Sequence, residues 1–150
     1  MKGNEKLINT LNDLLADELT AINQYFVHGE INAADGYEKL HQHSEKQAID
    51  EMKHAEKLIE RILFLEGRPI VSKLNPMKIA MEVPEQVKND LELEMGAVSS
   101  YNKAIKLAGE VLDFATRDIL EGILQDEDRH LDDLEELRDQ IEQLGLPIFL

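Results

Sequence analysis

Hydrophobic residues recur every three to four positions along four long stretches of the chain, which is the spacing of amphipathic helices. This spacing predicts helices over approximately residues 4–34, 37–65, 84–111 and 113–144. Asn4 is a suitable N-cap for the first helix, and Pro84 suits the first turn of the third. No segment alternates apolar and polar residues as a strand does, so we predict an all-α fold.

The lengths of the connections predict how these helices are arranged. The joints near Gly36 and at residues 109–113 are short, so the first two helices and the last two should form antiparallel hairpins. The segment from Gly67 to Val83 is longer, since its extended length of roughly 55–60 Å exceeds the roughly 45 Å of a 30-residue helix. The sequence therefore predicts a four-helix bundle in a single domain, residues 1–150, with a long crossover between helices two and three and little or no fifth helix.

Charge narrows the classes of partner. The chain has 16 basic and 31 acidic residues and a net charge of −15, which favours cations over nucleic acid. Solubility alone explains such an excess of acid equally well. The absence of cysteine excludes disulfides and thiolate metal sites. No apolar run approaches the length of a transmembrane helix, and the residues after Met1 form no signal-peptide core, so we expect a cytoplasmic protein.

An internal repeat relates the two halves of the chain at a constant offset of 76 residues. It pairs residues with the chemistry of metal ligands or of their supports: Glu18 with Glu94, Glu51 with Glu127, His54 with His130, Asp50 with Asp126, and Tyr25 with Tyr101. Apolar positions such as Leu15 and Leu91 follow the same offset. We therefore expect two pseudo-equivalent hairpins and a site of pseudo-twofold symmetry between them.

Each predicted helix carries one glutamate at mid-length inside its apolar stripe, and the four are Glu18, Glu51, Glu94 and Glu127. Buried carboxylates repel one another and are costly unless a cation neutralises them. Their inner-face companions are His54 and His130, each three residues after a glutamate and on the same side of its helix. Four carboxylates and two neutral imidazoles carry a charge of −4, which two divalent cations cancel. We therefore predict that these six residues bind two metal ions.

A solvated position is the ordinary alternative for one Glu-x-x-His motif, but two motifs and two further glutamates at one offset disfavour it. Such ligands without sulfur suit iron or manganese, with zinc as an alternative.

Asp50 and Asp126 are either partners of the imidazole N–H groups or solvated acids. Tyr25 is expected to hydrogen-bond a carboxylate ligand or to supply an electron, whereas Tyr101 is expected to pack in the core. The other histidines are predicted to lie at the surface: His28, His41 and His43.

The chain resembles the bacterioferritins, which are ferritin-like dimetal carboxylate proteins, over nearly its whole length. Segments 23–26, 49–55 and 59–67 carry the likeness. The resemblance implies that Glu18 and Glu94 are terminal ligands, that Glu51 and Glu127 bridge, and that His54 and His130 each bind one iron.

The same resemblance implies an activity and an assembly. The activity is that of a ferroxidase, which oxidises Fe²⁺ with O₂ or H₂O₂ and stores ferric mineral inside a hollow homo-oligomer. The implied assembly is a 24-subunit shell built from dimers, with a ferredoxin-type reductant for iron release. Nucleic acid and membranes are not expected as partners.

The resemblance also implies a haem site at Met52. This residue lies about 100° around the helix from Glu51 and so points away from the dimetal centre. Two copies of Met52, from two symmetry-related subunits, would be the axial ligands of one shared haem b. The predicted pocket residues are Ile22, Asn23, Phe26 and Ile49.

Two departures from the bacterioferritin pattern affect iron handling. Lys46 stands where relatives can have a histidine beside Asp50, which disfavours an extra iron site on the inner surface. Few residues follow Gly145, so a fourfold pore with a different lining is expected.

Two other functions are weighed against a ferroxidase. A dimetal peroxide reductase or oxidase of the rubrerythrin type usually adds a cysteine-ligated iron module, which this cysteine-free chain lacks. A metal- or haem-binding protein without redox turnover stays open. A purely structural oligomer is disfavoured because it would not keep buried carboxylates.

Overall fold

The computed structural model describes all 150 residues, and its regular elements are all helices. They are α1 (Glu5–Ala34), α2 (Glu38–Phe64), α3 (Val83–Glu110), α4 (Phe114–Leu144) and the four-residue α5 (Leu146–Phe149). The prediction of an all-α bundle with little or no fifth helix is confirmed. Each long helix begins and ends within one residue of its predicted boundary. None of these helices has the length and apolar character that crossing a membrane requires.

The two hairpins use equivalent turns. In the first, the backbone N–H of Tyr37 donates to Asn32, and Gly36 adopts a left-handed conformation with φ of 83°. In the second, the N–H of Asp113 donates to Ala108, and Leu112 takes the left-handed position with φ of 63°. The 76-residue repeat therefore extends to the backbone of the turns, although only the first turn has the glycine that this conformation favours.

The crossover between α2 and α3 runs along α1, and polar side chains of α1 attach it. Its backbone N–H groups donate to side-chain acceptors spaced along one stripe of the helix: Ile70 to Asn12, Asn75 to Thr20, Lys78 to Gln24 and Ala80 to His28. At the start of this path, the N–H of Gly3 donates to the carbonyl of Leu65. The crossover thus travels from the beginning of α1 towards its end, which sets α3 parallel to α2 as predicted.

The prediction that His28 lies at the surface is wrong, because the crossover covers it. His28 is fully buried, and its Nε2 accepts a hydrogen bond from the N–H of Ala80. The proton is therefore on Nδ1, which donates to the Asp90 carboxylate at 3.0 Å. His41 and His43 are also not fully exposed, since both are half-buried and His41 lies 3.0 Å from the carbonyl of Gly29.

Two apolar clusters lie at opposite ends of the bundle. The larger contains 13 buried residues from all four long helices, among them Leu15, Leu58 and Ile123. The smaller is centred on Val87 and Leu134 and extends to α5. Apolar packing at both ends secures the four helices and leaves their polar mid-length residues facing one another.

Candidate metal centre

The six predicted ligands meet in the middle of the bundle. All four glutamates and both histidines are at most 2% exposed. They form two groups whose ligand atoms lie within 4.8 Å of one another: Glu18, Glu51, His54 and Glu127 in one, and Glu51, Glu94, Glu127 and His130 in the other. Glu51 and Glu127 belong to both groups, so the arrangement has two sites that share two carboxylates.

The distances follow the pseudo-twofold symmetry of the repeat. Nδ1 of His54 lies 2.7 Å from Oε1 of Glu127 and 3.7 Å from Oε2 of Glu18. Nδ1 of His130 lies 3.0 Å from Oε1 of Glu51 and 3.8 Å from Oε1 of Glu94. Each imidazole therefore faces the shared glutamate of the other hairpin as well as the terminal glutamate of its own group.

Unpartnered polar atoms show that these residues fit metal ions. Seven buried atoms of the six side chains have no hydrogen-bond partner: Glu18 Oε2, Glu51 Oε1, Glu94 Oε2, both oxygens of Glu127, and Nδ1 of His54 and of His130. Buried polar atoms are otherwise almost always paired, and leaving one unpaired costs about 1–3 kcal/mol. Atoms bound to one ion at about 2.1 Å lie at most about 4.2 Å apart, so each group is close to the size that encloses a single cation.

The pKa values of several of the six ligands also reflect the lack of a neutralising positive charge in the site. Burial and the neighbouring Glu51 raise the pKa of Glu18 well above its usual value. Burial and the adjacent Glu94 carboxyl group raise the pKa of Glu127 to about 12. Burial lowers the pKa of His130, but the Glu51 and Glu94 carboxylates outweigh it and raise the value to about 10. The pKa of His54 is also raised, because Glu127 and Glu18 outweigh the effect of its burial. The raised pKa values of these four groups therefore partly offset the negative charge of the site.

Two aspartates accept hydrogen bonds from the imidazole nitrogens that face away from the glutamates, and each aspartate comes from the other half of the repeat. Nε2 of His54 donates to Asp126 at 2.9 Å, and Nε2 of His130 donates to Asp50 at 3.1 Å. A proton held on Nε2 leaves Nδ1 as the ligand atom that faces the glutamates. Of the two alternatives for these aspartates, the hydrogen bonds support the one in which they partner the imidazoles. The exchange between halves is a feature that sequence spacing does not reveal.

Two tyrosines support the terminal glutamates, again across the repeat. The hydroxyl of Tyr25 donates to Oε1 of Glu94 at 2.5 Å, and that of Tyr101 donates to Oε1 of Glu18 at 2.6 Å. Burial and the adjacent carboxylate raise the pKa of each phenol well above its usual value, so both stay protonated donors. Of the two roles expected for Tyr25, the hydrogen bond to a carboxylate is present. Tyr101 packs in the core as expected, but it also holds a carboxylate, which the sequence did not indicate.

The predicted haem residues lie on α1 and α2, outside the metal centre. Met52 is 55% exposed, so its thioether points away from the buried glutamates, as predicted. Ile49 lies one turn earlier and is also exposed. Phe26 is exposed and lines a groove with Met81, and the side-chain amide of Asn23 donates to the carbonyl of Leu19. Ile22 instead packs against the main apolar cluster and is half-buried.

Comparisons with known proteins agree with this geometry. A family model for the ferritin-like domain matches residues 8–144. The bacterioferritin of Rhodobacter capsulatus is 41% identical over 145 residues, which are 97% of this chain and 90% of the relative. That of Streptomyces coelicolor is 37% identical over 150 residues, 100% of this chain and 90% of the relative. That of Mycolicibacterium paratuberculosis is 36% identical over 149 residues, 99% of this chain and 94% of the relative.

Proposed function

The chain belongs to the ferritin-like family and, within it, to the bacterioferritins, and we propose that it oxidises Fe²⁺ to Fe³⁺ and stores the product as ferric mineral. The observation that carries this proposal is the pair of buried ligand groups that share Glu51 and Glu127. Two adjacent sites allow two Fe²⁺ ions to give up two electrons together, which matches the demand of O₂ or H₂O₂ as oxidant. With O₂ and two protons the products are two Fe³⁺ and H₂O₂, and with H₂O₂ and two protons they are two Fe³⁺ and two waters.

The side chains have distinct tasks in this reaction. Glu18 with His54, and Glu94 with His130, bind one Fe²⁺ each, while Glu51 and Glu127 bridge the two substrate ions. The four carboxylates supply a charge of −4 that balances two Fe²⁺ and binds Fe³⁺ still more strongly. The apolar clusters border the site at both ends of the bundle and hold the four helices in place around it. Because no ligand is a sulfur atom, the set favours iron over softer metals.

The proposal is tested by the rate of Fe²⁺ oxidation under air. Glu18→Ala removes a terminal ligand and Glu127→Ala removes a bridge, so each variant should lose fast oxidation. Glu56→Ala is the matched control, because Glu56 lies on the exposed side of α2, five residues after Glu51. Oxidation at the wild-type rate in either ligand variant would contradict the proposal. Metal binding without any O₂ uptake on Fe²⁺ addition would favour the non-redox alternative.

The haem belongs to the same proposal. Met52 presents an exposed thioether beside the exposed Ile49, and a thioether is a suitable axial ligand for haem iron. Bound haem b, shared through the Met52 residues of two subunits, would supply electrons for the reduction of stored Fe³⁺. Met52→Leu should abolish the visible haem spectrum and leave Fe²⁺ oxidation intact. A haem spectrum that survives this substitution would contradict the role of Met52.

The proposed storage form is a hollow homo-oligomer of 24 subunits built from dimers. Large apolar side chains are exposed on the isolated chain, including Phe26, Met52 and Phe64, and a second copy would cover such residues. Gel filtration with iron counting tests this assembly, since a small oligomer unable to hold mineral would contradict it. The ferredoxin-type reductant and the cytoplasmic location stay predictions.

A further inference from the structure

Tyr101 and Tyr25 occupy equivalent places on either side of the metal centre. Both side chains are fully buried. The hydroxyl of Tyr101 donates to Oε1 of Glu18 at 2.6 Å, and that of Tyr25 donates to Oε1 of Glu94 at 2.5 Å. Glu18 and Glu94 belong to different ligand groups. Each of the two ion sites therefore has one phenol that is a single hydrogen bond away from its terminal carboxylate.

The chain has few other side chains that readily give up one electron. It contains no tryptophan and no cysteine, and its one further tyrosine is Tyr37. Tyr37 is the N-cap of α2 and precedes Glu51 by about 20 Å along the rise of the helix. Electron transfer slows steeply with distance, so Tyr25 and Tyr101 are the two aromatic donors beside the centre.

The surroundings of each phenol favour the loss of an electron together with a proton. Removal of an electron alone would leave a buried cation, which is costly away from water. The carboxylate oxygen at the other end of the hydrogen bond is close enough to accept the proton as the electron leaves. The product is a neutral tyrosyl radical, and burial shields it from reductants in the solvent.

We propose that Tyr101 is an electron donor equivalent to Tyr25, and that the two phenols and two Fe²⁺ together reduce O₂ to water. The inference rests on the proposed function, because the iron pair supplies the first two electrons. O₂, two Fe²⁺, two tyrosines and two further protons give two Fe³⁺, two tyrosyl radicals and two waters. Two more Fe²⁺ and two protons then restore both tyrosines and give two Fe³⁺.

The second phenol decides which product leaves the centre. Two Fe²⁺ alone supply two electrons, and O₂ then ends as H₂O₂. One phenol brings the total to three electrons, which is one short of water, so the reaction still ends at H₂O₂. With Tyr101 as well as Tyr25 the count reaches four, and the chain oxidises iron without releasing a product that reacts with Fe²⁺ to form hydroxyl radicals.

The ratio of O₂ consumed to Fe²⁺ oxidised tests the proposal. Chains loaded with two Fe²⁺ each are mixed with excess O₂ in the presence of catalase, which returns half an O₂ for each H₂O₂ released. The wild type should consume about one O₂ for every two Fe²⁺, because it releases no H₂O₂. Tyr101→Phe and Tyr25→Phe should each consume about one O₂ for every four Fe²⁺. Because this is a ratio and not a rate, a variant that reacts slowly still gives an answer.

Tyr37→Phe is the matched control. It removes a hydroxyl from the third tyrosine, which packs against the smaller apolar cluster and not against the ligands. Its ratio of O₂ to Fe²⁺ should equal that of the wild type.

A radical signal is the second readout, and a merely structural role of Tyr101 would not produce it. Electron paramagnetic resonance of samples frozen shortly after mixing should show a tyrosyl radical in the wild type and in Tyr37→Phe. Ring-deuterated tyrosine should narrow this signal, which identifies its source. The signal should be weaker in Tyr101→Phe and absent when Tyr25→Phe is added to it.

The outcomes separate this inference from the proposed function. Rapid Fe²⁺ oxidation with the same O₂ ratio in the wild type and Tyr101→Phe overturns the inference and leaves the proposed function intact. A wild type without a tyrosyl radical, or a change of ratio confined to Tyr25→Phe, also overturns it. A wild type that oxidises no Fe²⁺ contradicts the proposed function and the inference together.

Discussion

Individual side chains in the metal centre are positioned by residues of the opposite half of the chain. Asp126 holds the imidazole of His54, and Asp50 holds that of His130. Tyr101 and Tyr25 hold the terminal glutamates in the same crossed manner. A ligand on one hairpin therefore keeps its orientation only while the other hairpin is docked.

The aspartates give a prediction at the residue scale. Asp126→Ala removes the acceptor that keeps the proton of His54 on Nε2, so Nδ1 is no longer fixed as the ligand atom. The affinity for Co²⁺ should fall about 10- to 100-fold at the site that contains His54. Isothermal titration calorimetry measures this change directly. Asp128→Ala, an exposed aspartate on the same helix, should bind Co²⁺ like the wild type, and equal affinities in the two variants would contradict a positioning role for Asp126.

A second prediction at the residue scale concerns the protons that the ligands release when metal binds. Glu127, with a pKa of about 12, and His130, with a pKa of about 10, hold protons at pH 7 when no metal is bound. The raised pKa of His54 has the same consequence, and the pKa of Glu18 is raised in the same direction. Metal ligands must be deprotonated, so binding two ions should release about three protons per chain, and the affinity should rise with pH.

Calorimetry in buffers of different ionisation enthalpy counts these protons. The count should drop in Glu127→Gln, which has no proton to lose at that position. A wild-type release of less than about one proton per chain would show that the carboxylates and imidazoles are already deprotonated without metal.

At the scale of elements, the two turns differ in one residue. Leu112 has the left-handed backbone that Gly36 adopts in the equivalent turn, and its side chain is 74% exposed. The left-handed conformation destabilises a non-glycine residue by about 1–2 kcal/mol. Glycine avoids this strain, but it also raises the conformational entropy of the unfolded chain, which offsets part of the gain in stability. Leu112→Gly should therefore raise the free energy of unfolding by about 1 kcal/mol, measured by urea denaturation. The reciprocal change Gly36→Leu should lower it by a similar amount, and a loss of stability in Leu112→Gly would contradict the argument.

Helix periodicity was enough to predict the long elements, whereas the attachment of the crossover was not predictable. A stripe that repeats every three to four residues depends only on local neighbours, so it is visible in the sequence. His28 has the same local pattern as an exposed polar residue, but its partners Asp90 and Ala80 lie 62 and 52 residues away. Gln24 is similar, since it bonds both Asp90 and Lys78. Long-range polar contacts of this kind leave no periodic signal.

For the whole molecule, the internal repeat made the centre predictable even though its contacts are long-range. One offset relates the ligands, so finding one half of the site predicted the other half. The crossed support by Asp50, Asp126 and the tyrosines has no such signal, because the offset identifies equivalent residues and not which of them touch. The shape of the cavity beside the glutamates likewise depends on where the crossover lies over α1 and α3.

The free energy of unfolding of the whole bundle should depend on whether the centre holds cations. Without them, the bundle buries seven unpartnered polar atoms of the six ligands. A ligand that binds only the folded state stabilises it by about 2.7 kcal/mol at 100 times its dissociation constant, so two ions add about 5 kcal/mol. For a chain of this size that gain corresponds to a rise in Tm of roughly 10–20 °C.

Differential scanning calorimetry with Co²⁺ against EDTA, at one protein concentration, measures this rise. Glu51→Ala with Glu127→Ala should abolish it, because both ligand groups lose their shared carboxylates. The double variant should also unfold at a Tm no lower than roughly that of the metal-free wild type, since removing the buried unpartnered oxygens of Glu51 and Glu127 offsets the lost packing. A metal-dependent rise in Tm that persists in the double variant would place the stabilising cations elsewhere on this acidic chain. Its loss would show that the stability of the bundle depends on the proposed ligand carboxylates.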